Sequence, residues 1–293
     1  LQEFFDAVWS KTRSAQLSND GWRREQQLWK SYLLPQLGDQ RVGTLNARDF
    51  DRFIRDASGA KGQLLSGNTR RLIRAAYRSA LDWCQWEEAI PEVHRFRRLK
   101  GTTKKVLPSP EPLTATEIQA VVDATKTPEE RAVLTVAFHL GLRPSEVCGI
   151  VWSDVVLTKA PDHPNGSVHV RGTKTAESEA RLPLTKEAQA ALRRLKRLTG
   201  PEGPVFVHRS GPRKSYRSLL KRAAADAGVK RGRVFQYLTR HTAATLVSQD
   251  QGTAAAAALL RHTNPRMVEK IYDHTPAGAR VDLERVFSRE SED

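Results

Sequence analysis

Apolar residues recur at helical spacing through the first ninety positions of the chain. The opening segment has an apolar stripe at positions i, i+3, i+4, i+7 and i+8, formed by Leu1, Phe4, Phe5, Val8 and Trp9. This stripe predicts a helix over residues 1–13. A second helix is predicted to end at Pro35, and a short one begins after Asn46, which is a preferred capping residue. These residues therefore predict a small, all-helical domain.

A long helix is predicted over residues 68–88, with two different faces. The inner face is apolar and consists of Leu72, Ile73, Ala76, Tyr77, Ala80, Leu81 and Cys84. The outer face presents four arginines, Arg70, Arg71, Arg74 and Arg78. Such a row is usually a solvated surface, and the alternative is that some of these arginines contact phosphates.

Residues 92–112 interrupt the helical pattern. The stretch is basic, has three prolines near its end and lacks periodicity, which predicts a linker between a domain at 1–91 and one at 113–293. Its cations include Arg95, Arg97, Arg98, Lys104 and Lys105. They belong either to a plain solvated spacer or to a segment that follows DNA.

The second domain is predicted to mix helices with a few short strands. Thr114 and Glu117 form a capping-box pattern before an apolar helical run, and the next helix, over 128–139, precedes Gly141 as C-terminal cap. Short β-type runs follow at Trp152–Leu157, Val168–Arg171 and Ala180–Pro183. They predict a small antiparallel sheet. Further helices are predicted over 185–198, 215–227, 239–248, 254–260 and 264–271.

Composition and charge narrow the class of partner. The 293 residues are 39% hydrophobic and 28% charged, with 48 Lys+Arg against 33 Asp+Glu and a net charge of +15. A polyanionic partner is therefore expected. Because the positive charge recurs along the whole chain, a nucleic acid backbone fits better than a membrane surface. We expect no membrane association and a reduced, cytoplasmic setting for the two cysteines. The chain opens with Leu1 rather than methionine, which suggests part of a longer protein.

The stretch from Leu259 to His274 contains candidate chemistry. His262 is followed ten residues later by Tyr272, and Asn264 lies where a helix would begin. A phenol held near a histidine in a strongly basic protein is a candidate nucleophile for a phosphodiester. The alternative is a core histidine followed by an ordinary half-buried tyrosine.

Four separated motifs occur along the second half of the chain: GLRPSEV, RGTKTAESEARLPL, LTRHTAATL and LLRHTNPRMVEKIYDH. With these motifs in this order, the chain resembles the tyrosine recombinases, the phage-integrase-like enzymes. Residues 114–274 resemble their catalytic domain and residues 1–90 their helical core-binding domain. The resemblance implies a mainly α fold with a small antiparallel β-sheet in the C-terminal domain, built as a two-domain DNA clamp.

The resemblance also implies the site residues. The catalytic set consists of the nucleophile Tyr272, the two arginines Arg143 and Arg240, the hairpin lysine Lys174 and the late histidine His262. Glu146 would accompany Arg143, and His241 follows Arg240 as in the family.

The implied chemistry agrees with these residue types. Attack by a phenol builds negative charge on the nonbridging oxygens of the phosphate, and two guanidiniums can stabilise it without a metal. A lysine can protonate the leaving 5′ oxygen. The product would be a 3′-phosphotyrosine link that religates without ATP. The sequence contains no phosphate-loop motif and no closely spaced Cys/His set, so we expect no metal and no cofactor.

Two positions depart from the family pattern. Tyr237 stands three residues before Arg240, where the family usually has histidine, and tyrosine is a poor base near neutral pH. Three outcomes are open: the substitution is tolerated, it makes the enzyme slow, or it abolishes activity. Arg261 stands where glycine is more common before the late histidine. It would either add a phosphate contact or be a surface change without effect.

Other basic residues are expected to contact the DNA backbone. Besides the helix and linker cations above, the set comprises Arg213, Lys214, Arg217, Arg231 and Arg233. The tail carries Val281, Leu283, Val286 and Phe287 at helical spacing. It predicts an amphipathic helix that docks either on a neighbouring protomer or on its own domain.

The function implied by the resemblance is conservative site-specific recombination. The expected partners are double-stranded DNA, three further copies of the chain in a homotetramer on two DNA sites, and accessory DNA-bending or directionality factors. The expected location is the nucleoid of a bacterial cell. One alternative is relaxation of DNA like that of type IB topoisomerases. The other is a non-catalytic DNA-binding protein that retains the fold, for which Tyr237 is the motivating residue.

Overall fold

The chain divides into two compact units, Leu1–Pro108 and Ser109–Asp293. The computed structural model describes residues 1–42, 44, 46–59, 62–88, 90, 111–171, 179–209, 211–229, 234–261 and 283–287. The division falls inside the stretch predicted as a linker, whose residues lie outside the described part except for the last two. The predicted boundaries at 91 and 113 therefore stay a prediction. Among the described helices, none is both long and apolar enough to cross a membrane.

The first unit is built of helices alone in its described residues, apart from an isolated β-bridge. Its helices are α1 (Gln2–Phe4), α2 (Ser10–Gln16), α3 (Asn19–Leu28), α4 (Leu34–Leu37), α5 (Ala47–Asp56) and α6 (Gly67–Trp86). Two π-helical turns, Phe5–Trp9 and Trp29–Leu33, join α1 to α2 and α3 to α4. Asn46 caps α5 as predicted, since its Oδ1 accepts the backbone N–H of Asp49 at 2.9 Å.

The prediction that Pro35 ends a helix is wrong. The helical backbone continues through Trp29–Leu33 and α4 to Leu37. Pro35 lies in the first turn of α4, directly after the π-helical turn Trp29–Leu33. That turn changes the hydrogen-bonding pattern of the backbone from i→i−4 to i→i−5, so the proline follows a change of pattern and not a regular α-helical interior.

The core of the first unit is aromatic. Trp9, Trp29, Phe50 and Tyr77 are fully buried, and the rings of Phe50 and Tyr77 stack with centroids 4.4 Å apart. Two residues predicted to face this core do not: Leu72 is 44% exposed, and Val8 is also exposed. The buried stripe of α6 runs through Ile73, Ala76, Tyr77, Ala80, Leu81 and Cys84. Leu72 therefore lies one residue, or about 100°, off that stripe.

The second unit combines helices with two small antiparallel sheets. Its helices are α7 (Ala115–Asp123), α8 (Pro128–His139), α9 (Pro144–Gly149), α10 (Lys186–Thr199), α11 (Arg217–Asp226), α12 (Tyr237–Gln251), α13 (Thr253–Leu260) and α14 (Leu283–Phe287). Eight consecutive residues of α8, from Ala132 to His139, are buried. Because α10 and α12 both pack against it, α8 is the centre of this unit.

The predicted sheet is confirmed. Its strands β1 (Val155–Val156), β2 (Ser167–Val170) and β3 (Ala180–Pro183) pair antiparallel in that order. Val168 faces Leu182 in register and both are buried. Residues Trp152–Asp154, predicted as strand, form a 3₁₀ turn. A second sheet, β4 (Val207–His208) with β5 (Gly211–Pro212), was not predicted because its two-residue strands carry no alternating pattern.

The predicted caps of the second unit are confirmed. Thr114 and Glu117 form a reciprocal capping box at the start of α7. Gly141 follows α8 with φ +55°, a left-handed backbone conformation that glycine adopts without strain. Pro144 lies in the first turn of α9. These features bring Arg143 to the start of α9.

Helix α14 packs on its own unit. Leu283 and Val286 are buried in the main core cluster, and the ring of Phe287 stacks on His139 with centroids 4.2 Å apart. Burial lowers the pKa of His139 to about 4, so the ring is neutral at physiological pH. The described part of the tail thus adopts the second of the two predicted arrangements, docking on its own domain.

We expect Leu283→Ala to lower the free energy of unfolding by about 2 kcal/mol, because it removes a buried side chain and leaves a cavity. Urea unfolding measures the change. The matched control is Leu198→Ala on α10, where the side chain is exposed and the change should stay within about 0.5 kcal/mol. Equal stabilities for the two variants would contradict the packing of α14.

Candidate active site

Two of the five predicted catalytic residues lie in the described part of the chain, Arg143 and Arg240. Lys174, His262 and Tyr272 lie outside the described residues, and their roles stay predictions. Tyr237, His241 and Arg261 are described. The described part of the candidate site is therefore centred on Arg143 and Arg240.

Arg143 is the residue immediately before α9. Its backbone N–H donates to Oε2 of Glu146 at 2.7 Å, and its Nη1 donates to Oε1 of the same carboxylate at 2.8 Å. The spacing of three residues across the first helical turn makes this double contact possible. The guanidinium stays partly exposed, so it is oriented by Glu146 without being enclosed.

Glu146 is the buried anion of the site, with a side chain that is 1% exposed. Burial would raise its pKa, but hydrogen bonds from Arg143 and the positive charge and hydrogen bond of Arg261 lower it below its ordinary value. The carboxylate is therefore ionised at neutral pH. It accepts a third hydrogen bond, from Nη2 of Arg261 at 2.6 Å.

Arg240, on α12, is buried and connects two distant segments. Its Nη1 donates to the carbonyl of Gly141 at 2.8 Å and its Nη2 to the carbonyl of Leu260 at 2.7 Å. Gly141 lies just before Arg143, and Leu260 just before Arg261. Burial, followed by the charge of Arg143, lowers the pKa of Arg240 to about 10. The guanidinium thus keeps its charge at neutral pH.

Arg261 is a third arginine of this cluster. It follows the last residue of α13 with φ +51°, and its side chain is only 4% exposed. The expectation that Arg261 lies on the surface is wrong, because the guanidinium is enclosed and paired with Glu146. No sequence signal separated a buried arginine from an exposed one at this position.

Together, these residues place three guanidiniums around one carboxylate. The three guanidiniums are positively charged, whereas Glu146 is the one carboxylate that Arg143 and Arg261 contact in this cluster. The cluster therefore has surplus positive charge in a partly buried setting. Such an arrangement suits a phosphate, whose oxygens accept charge-assisted hydrogen bonds.

Comparison with known proteins shows the family of the chain. Residues 111–277 match the family model described as the phage integrase family, a span that contains Arg143, Glu146, Arg240 and Arg261. The chain belongs to the phage integrase family. This confirms the resemblance seen in its four motifs.

The integrase-family chain is similar to curated proteins and to solved structures. It is 27% identical to the prophage integrase IntR of Escherichia coli (strain K12), over 69% of the chain and 54% of that protein. It is 28% identical to the tyrosine recombinase XerC of Xanthomonas axonopodis pv. citri (strain 306), over 54% of the chain and 50% of that protein. The chain thus spans about half the length of the curated relatives it matches.

Two solved structures share the fold. A lambda integrase (75–356) dimer bound to a COC′ core site matches with a TM-score of 0.69 at 19% identity, over 91% of this chain and 96% of that one. The Tn1549 transposon integrase in complex with transposon right end DNA matches with a TM-score of 0.69 at 15% identity, over 92% and 94%. The mainly helical fold with small antiparallel sheets is confirmed by this likeness.

Tyr237 and His241 flank Arg240 on α12. Tyr237 is the first residue of the helix and is 54% exposed, and His241 is half-buried. Tyr237 and Arg240 are three residues apart on α12, so their side chains lie on the same side of the helix. In this integrase-family chain the position three residues before Arg240 thus offers a hydroxyl, not an imidazole, at the edge of the site.

The predicted DNA contacts have different surroundings. On α6, Arg71 and Arg78 are exposed, whereas Arg70 and Arg74 are half-buried, and Nε of Arg70 donates to the carbonyl of Leu65. Lys214 and Arg217 are exposed. The remaining candidates lie outside the described residues: Arg95, Arg97, Arg98, Lys104, Lys105, Arg231 and Arg233.

Arg213 does not fit its predicted role. Its side chain is buried, and its Nε and Nη2 each donate to the carboxylate of Glu129 at 2.7 Å. This bidentate ion pair joins the segment after β5 to α8, so the guanidinium serves the core of the unit. The prediction that Arg213 contacts a DNA phosphate is therefore wrong. The sequence could not show this, because Glu129 is 84 residues away.

Proposed function

We propose that this chain contains the core-binding and catalytic parts of a site-specific DNA recombinase. It cuts and rejoins DNA strands through a 3′-phosphotyrosine intermediate, without metal or ATP. The observation that carries the proposal is the cluster of Arg143, Arg240 and buried Glu146 in a chain of the phage integrase family. The motifs supply the other groups, Tyr272, Lys174 and His262.

The proposed reaction is a transesterification. The phenolic oxygen of Tyr272 attacks the phosphorus and loses its proton, while the bond from phosphorus to the 5′ oxygen breaks. Lys174 donates a proton to the leaving 5′ oxygen. The guanidiniums of Arg143 and Arg240 stabilise the charge that develops on the nonbridging oxygens. The phosphotyrosyl ester keeps the bond energy, so attack by another 5′ hydroxyl reverses the step on a new strand.

Tyr237 restricts the route of the nucleophile's proton. A tyrosine hydroxyl is a poor general base at neutral pH, but the hydroxyl of Tyr237 can donate a hydrogen bond to a phosphate. The imidazole of His262 is the remaining candidate to orient the phosphate or to carry the proton of Tyr272. The alternative is that Tyr272 loses its proton to water, assisted by the neighbouring guanidiniums.

The proposed partners follow from the chemistry and from the structural relatives. The partner is double-stranded DNA, contacted by exposed cations such as Arg71, Arg78, Lys214 and Arg217. We propose a homotetramer on two DNA sites, since one lambda integrase structure is a tetramer bound to a Holliday junction, with a TM-score of 0.71 at 18% identity. Accessory DNA-bending or directionality factors, and action at the nucleoid of a bacterial cell, belong to the same proposal.

Covalent capture tests the proposal. Sequencing the DNA covalently bound to the protein in cells locates the target site, and a duplex of that site with a nick beside the scissile phosphate then traps the intermediate. We expect a protein–DNA adduct that survives denaturation. If no DNA is captured covalently, the non-catalytic alternative favoured by Tyr237 is correct. Relaxation of a supercoiled plasmid without recombination between two sites would favour the topoisomerase alternative.

A further inference from the structure

Arg261 adopts a backbone conformation that is unfavourable for arginine. Its φ of +51° lies in the left-handed region, where a Cβ atom crowds the following carbonyl and glycine is favoured. The residue ends α13 as a left-handed cap. A glycine would serve as this cap without strain. The capping role therefore does not explain the arginine.

The guanidinium of Arg261 is also incompletely paired. Its side chain is 4% exposed, and its Nη2 donates to Oε2 of Glu146. Its Nε and Nη1 are buried and have no hydrogen-bond partner among the described residues. Buried donors without acceptors cost free energy, and such groups in a native structure indicate a missing ligand or a functional role.

Neutralisation of Glu146 does not explain Arg261 either. The carboxylate already accepts the backbone N–H and Nη1 of Arg143. Arg261 adds a third positive charge to the cluster, and this charge acts against Arg240, whose pKa it helps to lower. An extra buried cation beside two others is favourable only when an anion joins them.

We propose that Arg261 is a third phosphate-binding arginine, which donates from Nε or Nη1 to a nonbridging oxygen of the scissile phosphodiester. The inference rests on the proposed function and adds a residue to its site. The ligand is an oxyanion because only an acceptor that carries negative charge satisfies both the free donors and the surplus charge. In the free protein, Glu146 holds the guanidinium in place for the phosphate.

The first test compares single-turnover adduct formation on the nicked duplex for the wild type, Arg261→Gly and Arg261→Lys. Arg261→Gly removes the guanidinium and relieves the left-handed strain. We expect its rate to fall by about 10²-fold, as for loss of one donor to a developing oxyanion. Arg261→Lys keeps the charge and should recover part of this loss. The melting temperature of Arg261→Gly should be no lower than that of the wild type.

The second test separates phosphate contact from a structural role. In a methylphosphonate duplex, a methyl group replaces one nonbridging oxygen at the scissile position and removes its negative charge. We expect Arg261→Gly and the wild type to react with this duplex at rates within about threefold, because the charge that Arg261 stabilises is gone. A structural role would slow the variant equally on both duplexes.

The matched control is Arg131→Ala in α8. Arg131 pairs with Asp123 at 2.8 Å, so the variant also removes one arginine–carboxylate contact and one positive charge from the same unit. Its rates should stay within about threefold of the wild type on both duplexes, as expected for a partly exposed ion pair.

The outcomes separate the two proposals. A wild type that forms no adduct on the phosphodiester overturns the proposed function, and the assignment of Arg261 with it. An active wild type with an equally active Arg261→Gly, or with equal losses on the two duplexes, overturns only the assignment of Arg261. If Arg261→Gly does not fold, the rates of Arg261→Lys on the two duplexes test the assignment of Arg261 in the same way.

Discussion

Tyr272→Phe should eliminate covalent protein–DNA adducts while leaving DNA affinity within a few-fold of the wild type. Phenylalanine keeps the ring but lacks the oxygen that attacks phosphorus, so no ester can form. Phosphate contacts dominate affinity for DNA and are unaffected by the loss of one hydroxyl. The measurement is the adduct band on a denaturing gel with the nicked duplex, alongside a binding titration at fixed salt.

Tyr32→Phe is the matched control for this experiment. Tyr32 lies in the π-helical turn Trp29–Leu33 of the first unit and is half-buried. The control variant therefore also removes one phenolic hydroxyl, at a position that is distant in sequence from the predicted nucleophile. The control should form adducts at the wild-type rate. Adducts that persist in Tyr272→Phe would show that another residue is the nucleophile.

Arg240→Lys should slow adduct formation by about 10²- to 10³-fold, as for loss of an oxyanion donor. The guanidinium of Arg240 donates simultaneously to the carbonyls of Gly141 and Leu260. An ammonium has no planar fork and cannot reproduce both contacts while facing a phosphate. The measurement is the single-turnover rate on the nicked duplex.

The pH dependence of this variant should differ from that of the wild type. The pKa of Arg240 is lowered to about 10 by burial and by Arg143, so the wild type keeps this charge up to about pH 9. A lysine has an ordinary pKa of about 10.4, and the same burial and neighbouring charge would lower it further. Residual activity of Arg240→Lys should therefore be highest at low pH and decrease as pH rises through that lowered pKa.

Arg131→Lys is the control for the second experiment, because its ion pair with Asp123 is partly exposed. It should show neither the loss of rate nor the altered pH profile. If Arg240→Lys is as active as the wild type across the pH range, the guanidinium fork of Arg240 has no role in the reaction.

Local structure was predictable wherever it depends on residues close in the chain. The capping box of Thr114 and Glu117, the left-handed Gly141 and the antiparallel strands β2 and β3 all follow from short patterns. The failures also have local causes. Pro35 follows a π-helical turn and lies in the first turn of α4. The spacing of apolar residues in the sequence does not predict such a turn.

The site was predictable only in part. The order of the four motifs identified Arg143, Glu146 and Arg240, and the structure brings these residues into one cluster. Exposure was not predictable from the same motifs. Arg213 occurs in a basic stretch and Arg261 follows an apolar helix, yet both side chains are buried against glutamates.

The sequence alone determined the family and the helical character of both units, and it predicted the two arginines of the candidate site, because periodicity, caps and motifs depend on short segments. Only the tertiary structure decided which arginines face a carboxylate instead of solvent. Arg261 and Glu146 are 115 residues apart, and Arg240 and Gly141 are 99 apart. Contacts over such separations depend on how α8, α12 and α13 pack, since burial and ion pairing are properties of the assembled core.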